Sequence, residues 1–331
     1  MSKLKFFVVA SVLTQLLCFV AIACHYASNT APSKIVVAGG PAHYSWFEVT
    51  NKADYPQGYN YPVFVMKGKM WALQHDGGWC SADGKSWQKT NLLSIGLNSA
   101  FQRYVQFKDA VYALGTMQGN YLNMKLTSRI ARTKDFETWE TLAETSELPP
   151  RVFYGATVFK DKIWMIGGWD GKRNYNDVWN SEDGVHWTKV GDNLPWTARN
   201  VTSFLVFQDK LWLIGGSDVW HSEDGAHWTR ATERMAQNPV HVGAYSAAVF
   251  DNKIWLAGVN RSGEFQSGVL FSEDGVHWQE MKAPWSPRGA VALWVFDRKL
   301  YLTGGKYSYV ENGETKFVYS NDVWYMTAKS E

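Results

Sequence analysis

Residues 152–168 read VFYGATVFKDKIWMIGG, and residues 176–190 read NDVWNSEDGVHWTKV. An apolar run of strand length reaches a charged turn. A second apolar run carries a central Trp and stops at paired glycines, and a variable loop then leads to Ser-x-Asp-Gly-x-x-Trp. The same order returns as VTSFLVFQDKLWLIGG (201–216) with SDVWHSEDGAHWTRA (217–231), and as AYSAAVFDNKIWLAG (244–258) with VLFSEDGVHWQEM (269–281). YPVFVMKGKMWALQ (61–74) with GWCSADGKSWQKT (78–90) is a further copy, and FQRYVQFKDAVYALG (101–115) with SRIARTKDFETWETL (128–142) is a looser one. A period of roughly 40–50 residues that delivers four short strands is the spacing of propeller blades.

The last copy, GAVALWVFDRKLYLTGG (289–305) with YSNDVWYMTAKSE (319–331), stops before its fourth strand, whereas Tyr44-Ser45-Trp46-Phe47-Glu48-Val49 matches a fourth strand that has no first three. The N-terminal strand is therefore expected to complete the C-terminal blade and close the ring, which removes free interior edges. The prediction is an all-β chain, a six-bladed propeller of four-stranded antiparallel blades over residues 44–331. The twin glycines Gly167-Gly168, Gly215-Gly216 and Gly304-Gly305, together with the late Trp, resemble Kelch repeats and the propeller of the galactose oxidase superfamily. The Ser-Glu-Asp-Gly turns at Ser181, Ser222 and Ser272 also resemble sialidase Asp-boxes but are one residue shorter before the Trp, which favours Kelch.

Residues 1–24 carry Lys3 and Lys5, an apolar run and small residues before Cys24, the layout of an export signal. Ala21-Ile22-Ala23-Cys24 resembles a bacterial lipobox in which Cys24 would carry lipid, although Ala21 stands where Leu is usual. Plain cleavage, lipid attachment and an uncleaved anchor stay open, and residues 25–43 read as a linker. The expected destination is the periplasm or cell envelope, with membrane contact only through such a lipid or anchor. The net charge of +2 is accounted for by the two leader lysines, so the remainder offers no basic footprint for nucleic acid. Beyond Cys18 and Cys24 only Cys80 remains, which leaves no disulfide within the domain.

A feature present in every blade answers a need that every blade has, while a feature of one blade can serve a ligand. By that test Trp46, Trp87, Trp139, Trp187, Trp228 and Trp278 are packing residues, as are Trp71, Tyr112, Trp164, Trp212, Trp255 and Tyr301. Asp83, Asp183, Asp224 and Asp274 precede Gly and read as turn chemistry. His186, His227 and His277 belong to the repeat and do not form a metal cluster. Neither a metal nor a cofactor is expected.

The loops that lead into strand one and those that join strands two and three open on one face and vary in length, which is where binding residues concentrate on a rigid ring. Arg151, Arg199 and Arg288 each stand eight residues before the Phe that ends strand one, with Tyr154 and Tyr245 (and Tyr61) three residues further on. Trp196 and Trp285 lie in the same loops. Trp169, Asp170 and Arg173 lie in the loop of the third blade, and Arg261 and Glu264 in that of the fifth. Two readings of the arginines follow: guanidinium forks that grip a ligand carboxylate while rings stack on a sugar or peptide, or a structural part of the repeat that bonds neighbouring carbonyls.

Two functions compete. One is a non-catalytic exported propeller that binds a carbohydrate, peptide or protein partner through this face. The other, implied by the resemblance, is a sialic-acid-processing or other carbohydrate-active enzyme using three Arg, a Tyr and an acid, for which Asp170 and Glu264 are the candidate acids. The Arg-Ile-Pro motif typical of sialidases is absent, and a copper enzyme of the galactose oxidase kind would need a Tyr-Cys crosslink and a His pair that this chain does not evidently supply. An acid and a Tyr within hydrogen-bond reach inside the Arg ring would favour the enzyme.

Overall fold

Alternating strand patterns and tight turns build six four-stranded antiparallel sheets arranged in a ring in the computed structural model. It describes residues 44–93, 95, 103–119, 123–200, 203–216, 218–233, 235, 246–261 and 264–328. The export signal, Cys24, the linker and Tyr245 fall outside these residues.

Blade three shows the plan. Gly155–Phe159 runs next to the axis, Lys162–Ile166 and Val178–Ser181 follow outward, and Thr188–Gly191 forms the rim. In blade six the inner strands are Ala292–Phe296, Lys299–Thr303 and Val323–Ala328, and the rim strand is Tyr44–Thr50. Its register, Tyr44↔Ala328 through Glu48↔Trp324, is the closure expected from the orphan N-terminal strand.

The repeated aromatics lie between blades. The second-strand rings Trp71, Tyr112, Trp164, Trp212, Trp255 and Tyr301 are all buried. Trp164, Trp212 and Trp255 each donate Nε1–H to the carbonyl that ends strand one of their own blade, Phe159, Phe207 and Phe250, at 2.8–2.9 Å. The far edges of Trp164 and Trp212 rest on the hairpin glycine of the next blade, and Trp255 meets Tyr44 of the closing strand instead. A Cβ built on Gly225 would stand 2.0 Å from the Trp164 ring, and one on Gly275 would stand 2.1 Å from Trp212. The Asp-Gly pair thus meets two demands: the Gly225 φ of +78° suits glycine, and the neighbouring blade occupies the space a side chain would need. Blade two solves the same problem differently. Phe136, at φ +60°, stands in the glycine position and stacks on Trp71 of blade one at 4.4 Å and 16°.

The Asp carboxylates of these hairpins cap their own turns, as expected from the sequence. Asp183 Oδ1 accepts N–H bonds from Val185 and His186, and its Oδ2 meets His186 Nδ1 at 2.7 Å. Ser181 Oγ accepts from Gly184 N–H, and Trp187 Nε1–H closes onto the Gly184 carbonyl. Cys80 is buried and unbridged.

Candidate functional site

Each arginine of the leading loops folds back along its own blade. Arg151 forks onto Asp177, Nη1 to Oδ1 at 2.6 Å and Nη2 to Oδ2 at 2.9 Å, and also donates to the Gly167 carbonyl at 2.8 Å. Arg199 does the same with Asp218 and the Gly215 carbonyl, and Arg288 with Asp322 and the Gly304 carbonyl. In all three, the second carboxylate oxygen also accepts an indole N–H two residues on, from Trp179, Trp220 or Trp324. Of the two readings of these arginines, the one that bonds neighbouring carbonyls describes their geometry, with an ion pair to a carboxylate of the chain added to it. Asp-Val-Trp occurs at 177–179, 218–220 and 322–324, in the three blades that also carry the loop Arg. That coincidence within one sequence was a signal for the pairing.

The aromatic candidates are also enclosed. Tyr154 is buried and its hydroxyl donates to the Leu114 carbonyl, with the Arg103 carbonyl at 2.9 Å. Trp196 packs edge-on against Trp228 at 4.7 Å, and Trp285 against Trp46 at 4.6 Å. Trp169 is buried with Val152 and Met117. These rings join blades and loops rather than forming an exposed aromatic mouth. Glu264 is exposed on a two-residue strand whose partner strand includes Arg261, and the Arg261 side chain falls outside what the structure describes.

In the loop of blade three, the Tyr175 hydroxyl donates to Asp170 Oδ2 at 2.7 Å, and the guanidinium groups of Arg151 and Arg173 lie over the Tyr175 ring at 3.9 and 4.8 Å. An acid and a Tyr do meet beside an Arg, in the loop of one blade and outside the residues that line the axial cavity. Burial pushes Asp170 up, yet the N–H bonds from Arg173 and Lys172 and the Tyr175 hydroxyl outweigh it and hold the carboxyl below its ordinary value. Burial and Asp170 together push Tyr175 up. A general base works best with a pKa near the operating pH, and both groups move away from it.

One concave feature among the described residues is axial. A cavity of ≈ 330 Å³ opens where the innermost strands begin, and all six blades line it. Strand register fixes the equivalences. Phe64, Val105, Thr157, Leu205, Ala248 and Trp294 each face the central aromatic of strand two. Two residues earlier, six side chains occupy one level of the cavity wall: Pro62, Arg103, Gly155, Ser203, Ser246 and Ala292. Five of them are small or uncharged; blade two alone supplies a charge.

Arg103 is half-buried, its fork enclosed by protein yet open to the cavity. Nη1 donates to Asn60 Oδ1 at 3.0 Å, a link between blades one and two. Among the described residues no carboxylate pairs with it, and burial pulls its pKa below the ordinary arginine value, from a range high enough that it stays cationic. Sequence reasoning missed Arg103 because it sits in the looser copy of the repeat; its signal was the lone charge in a column of small residues. A second cation near this rim, Lys306, lies over the Tyr59 ring at 4.3 Å, and burial pushes its ammonium down. Among the described residues no group of His, Cys, Asp and Glu is placed to hold a metal.

Comparison with known proteins adds a motif and a fold. Residues 150–180, in blade three, match the Kelch motif. A solved structure of YjhT superposes with a TM-score of 0.66 over 85% of this chain and 100% of that one, at 12% identity, a likeness that speaks for the fold alone. No curated protein sequence matches. From the ring of sheets and the closure by residues 44–50, the chain is a six-bladed β-propeller, and its third blade carries a Kelch motif.

Proposed function

We propose that the protein is an exported, non-catalytic binding propeller that takes its ligand at the axial cavity, on the face formed by the loops leading into strand one and the strand two to three loops. The observation that carries this reading is Arg103, a cation placed in a concave wall to which the other five blades contribute only small or uncharged side chains at the same level. Concave sites of a few hundred cubic ångströms with a small number of convergent polar groups are where ligands bind. Taking a cation partly out of water carries a desolvation cost, and among the described residues Arg103 has a neutral amide oxygen and no carboxylate to offset it. A carbohydrate, peptide or protein partner engages the cavity and the rim around it, and residues 1–24 bring the domain to the periplasm or cell envelope. The Asp170–Tyr175 pair, with both pKa values displaced from neutrality, supports binding over proton transfer as the work of this face.

The test is native mass spectrometry of the full chain after incubation with an extract of the compartment it is exported to, beside an Ala156→Phe variant that fills the cavity. A bound species carried by the wild type and lost by the folded variant supports the reading. Equal retention by both moves the site away from the axis and overturns it.

A further inference from the structure

Arginine is enclosed at several places in this molecule, and the chain treats one of them differently. Arg151, Arg199 and Arg288 each receive a bidentate carboxylate from their own blade. Among the described residues, Arg103 receives one neutral amide oxygen at a single nitrogen, Nη1 to Asn60 Oδ1. A guanidinium presents five N–H donors in a rigid fork, so the Asn60 contact orients the group and leaves most of its donors unspent. Arg103 lines the cavity, and the wall it shares with blades four and five offers Ser203, Ser246 and Phe204, with no second charge among the lining residues.

Resting on the reading of the axial cavity as the binding site, we propose that its ligand is a small organic monocarboxylate, held by a two-point contact from its carboxylate to Arg103, with its uncharged remainder against Ser203, Ser246 and Phe204. Charge balance selects the anion. One cation lines the cavity and matches one negative charge, whereas a phosphate brings nearly two, and Lys306, over the Tyr59 ring, is not among the lining residues. Volume selects a small molecule, since ≈ 330 Å³ lies at the lower end of ligand pockets. Planarity selects carboxylate within that class, because fork and carboxylate match in two parallel bonds.

The experiment uses the full chain, Arg103→Lys and Arg103→Met, all checked for the same melting profile without ligand. Bromide soaked into crystals locates an anion site, while calorimetry and thermal shift are run with pyruvate and glucuronate as carboxylates, glucose as a neutral probe, and inorganic phosphate. The expected result is a bromide peak at the Arg103 fork that is absent in Arg103→Met, and protection by at least one carboxylate. Affinity should fall about tenfold or more in both variants, because a charge-assisted fork contact is worth that much and Lys cannot reproduce it. Bromide bound without protection by either carboxylate means an adventitious anion position and overturns the inference, as does stronger protection by phosphate than by carboxylate. Glucose binding equally to wild type and Arg103→Met also overturns it while leaving the cavity as the site. With no bromide and no probe bound, the inference and the reading beneath it both fail.

Discussion

Replacing Asp177 with Ala should be among the most damaging single changes on the loop face. The side chains of Arg151 and Asp177 are 1% and 3% exposed. The substitution strips two charge-assisted bonds from the fork and the acceptor from Trp179 Nε1, while the cation stays enclosed, held by the Gly167 and Pro149 carbonyls. Breaking a buried pair from one side costs about 3–5 kcal/mol, which for a domain of this size lowers the melting temperature by roughly 6 °C or more. The three homologous pairs provide a graded series. Arg288–Asp322 is 4% and 14% exposed, and Arg199–Asp218 is 16% and 22% exposed. Urea unfolding of Asp177→Ala, Asp322→Ala and Asp218→Ala should therefore rank in that order of loss. The double variant Arg151→Met/Asp177→Leu should recover most of what the single loses, since an apolar pair of similar volume removes the uncompensated charge. Equal losses at the three positions, or a double variant no better than Asp177→Ala, would refute burial of the unpaired cation as the source of the cost.

The His186 and His227 imidazoles are held above the ordinary histidine value by their bonds to Asp183 and Asp224. A raised histidine stabilises the fold fully below its unfolded pKa of about 6.5, and loses that contribution as pH rises through the folded value. The melting deficit of His186→Ala/His227→Ala relative to wild type should thus be larger near pH 5.5 than near pH 8.5; an equal deficit at both sinks the assignment. Gly225→Ala and Gly313→Ala test packing against backbone strain. The two glycines share nearly the same φ, +78° and +77°, but a Cβ on Gly225 meets the Trp164 ring at 2.0 Å and one on Gly313 meets nothing within 4 Å. Gly313→Ala should cost about 1–2 kcal/mol for its left-handed backbone, and Gly225→Ala clearly more by thermal denaturation, whereas matching losses would leave the inter-blade contact without energetic weight.

The architecture was legible because each blade restates it. The strand ends, the hairpin glycines and even the strand borrowed from the N-terminus follow from one pattern, and the pairing Tyr44↔Ala328 is where that pattern places it. The leading-loop arginines were legible as positions but not as partners. Asp177, Asp218 and Asp322 lie 26, 19 and 34 residues downstream of their arginines, because the strand two to three loops differ in length, so no fixed spacing reveals the pairs. Enclosure of Trp169, Trp196 and Trp285 was hidden for a related reason: loop residues look exposed until the strand that covers them, distant in sequence, is in place, as Trp46 covers Trp285. Arg103 needed the strand register, since only the pairing of Val105 with Tyr112 sets it level with Pro62, Gly155 and Ser203.

The rim strand that closes the ring also gives the molecule a direction. Tyr44, where it starts, hydrogen-bonds Asp251, in the turn between the first two strands of blade five, on the side opposite the axial cavity. The described chain therefore begins on the back of the ring. Which strand is left for the N-terminus to supply thus sets the side of the ring on which the described chain starts, opposite the mouth of the cavity.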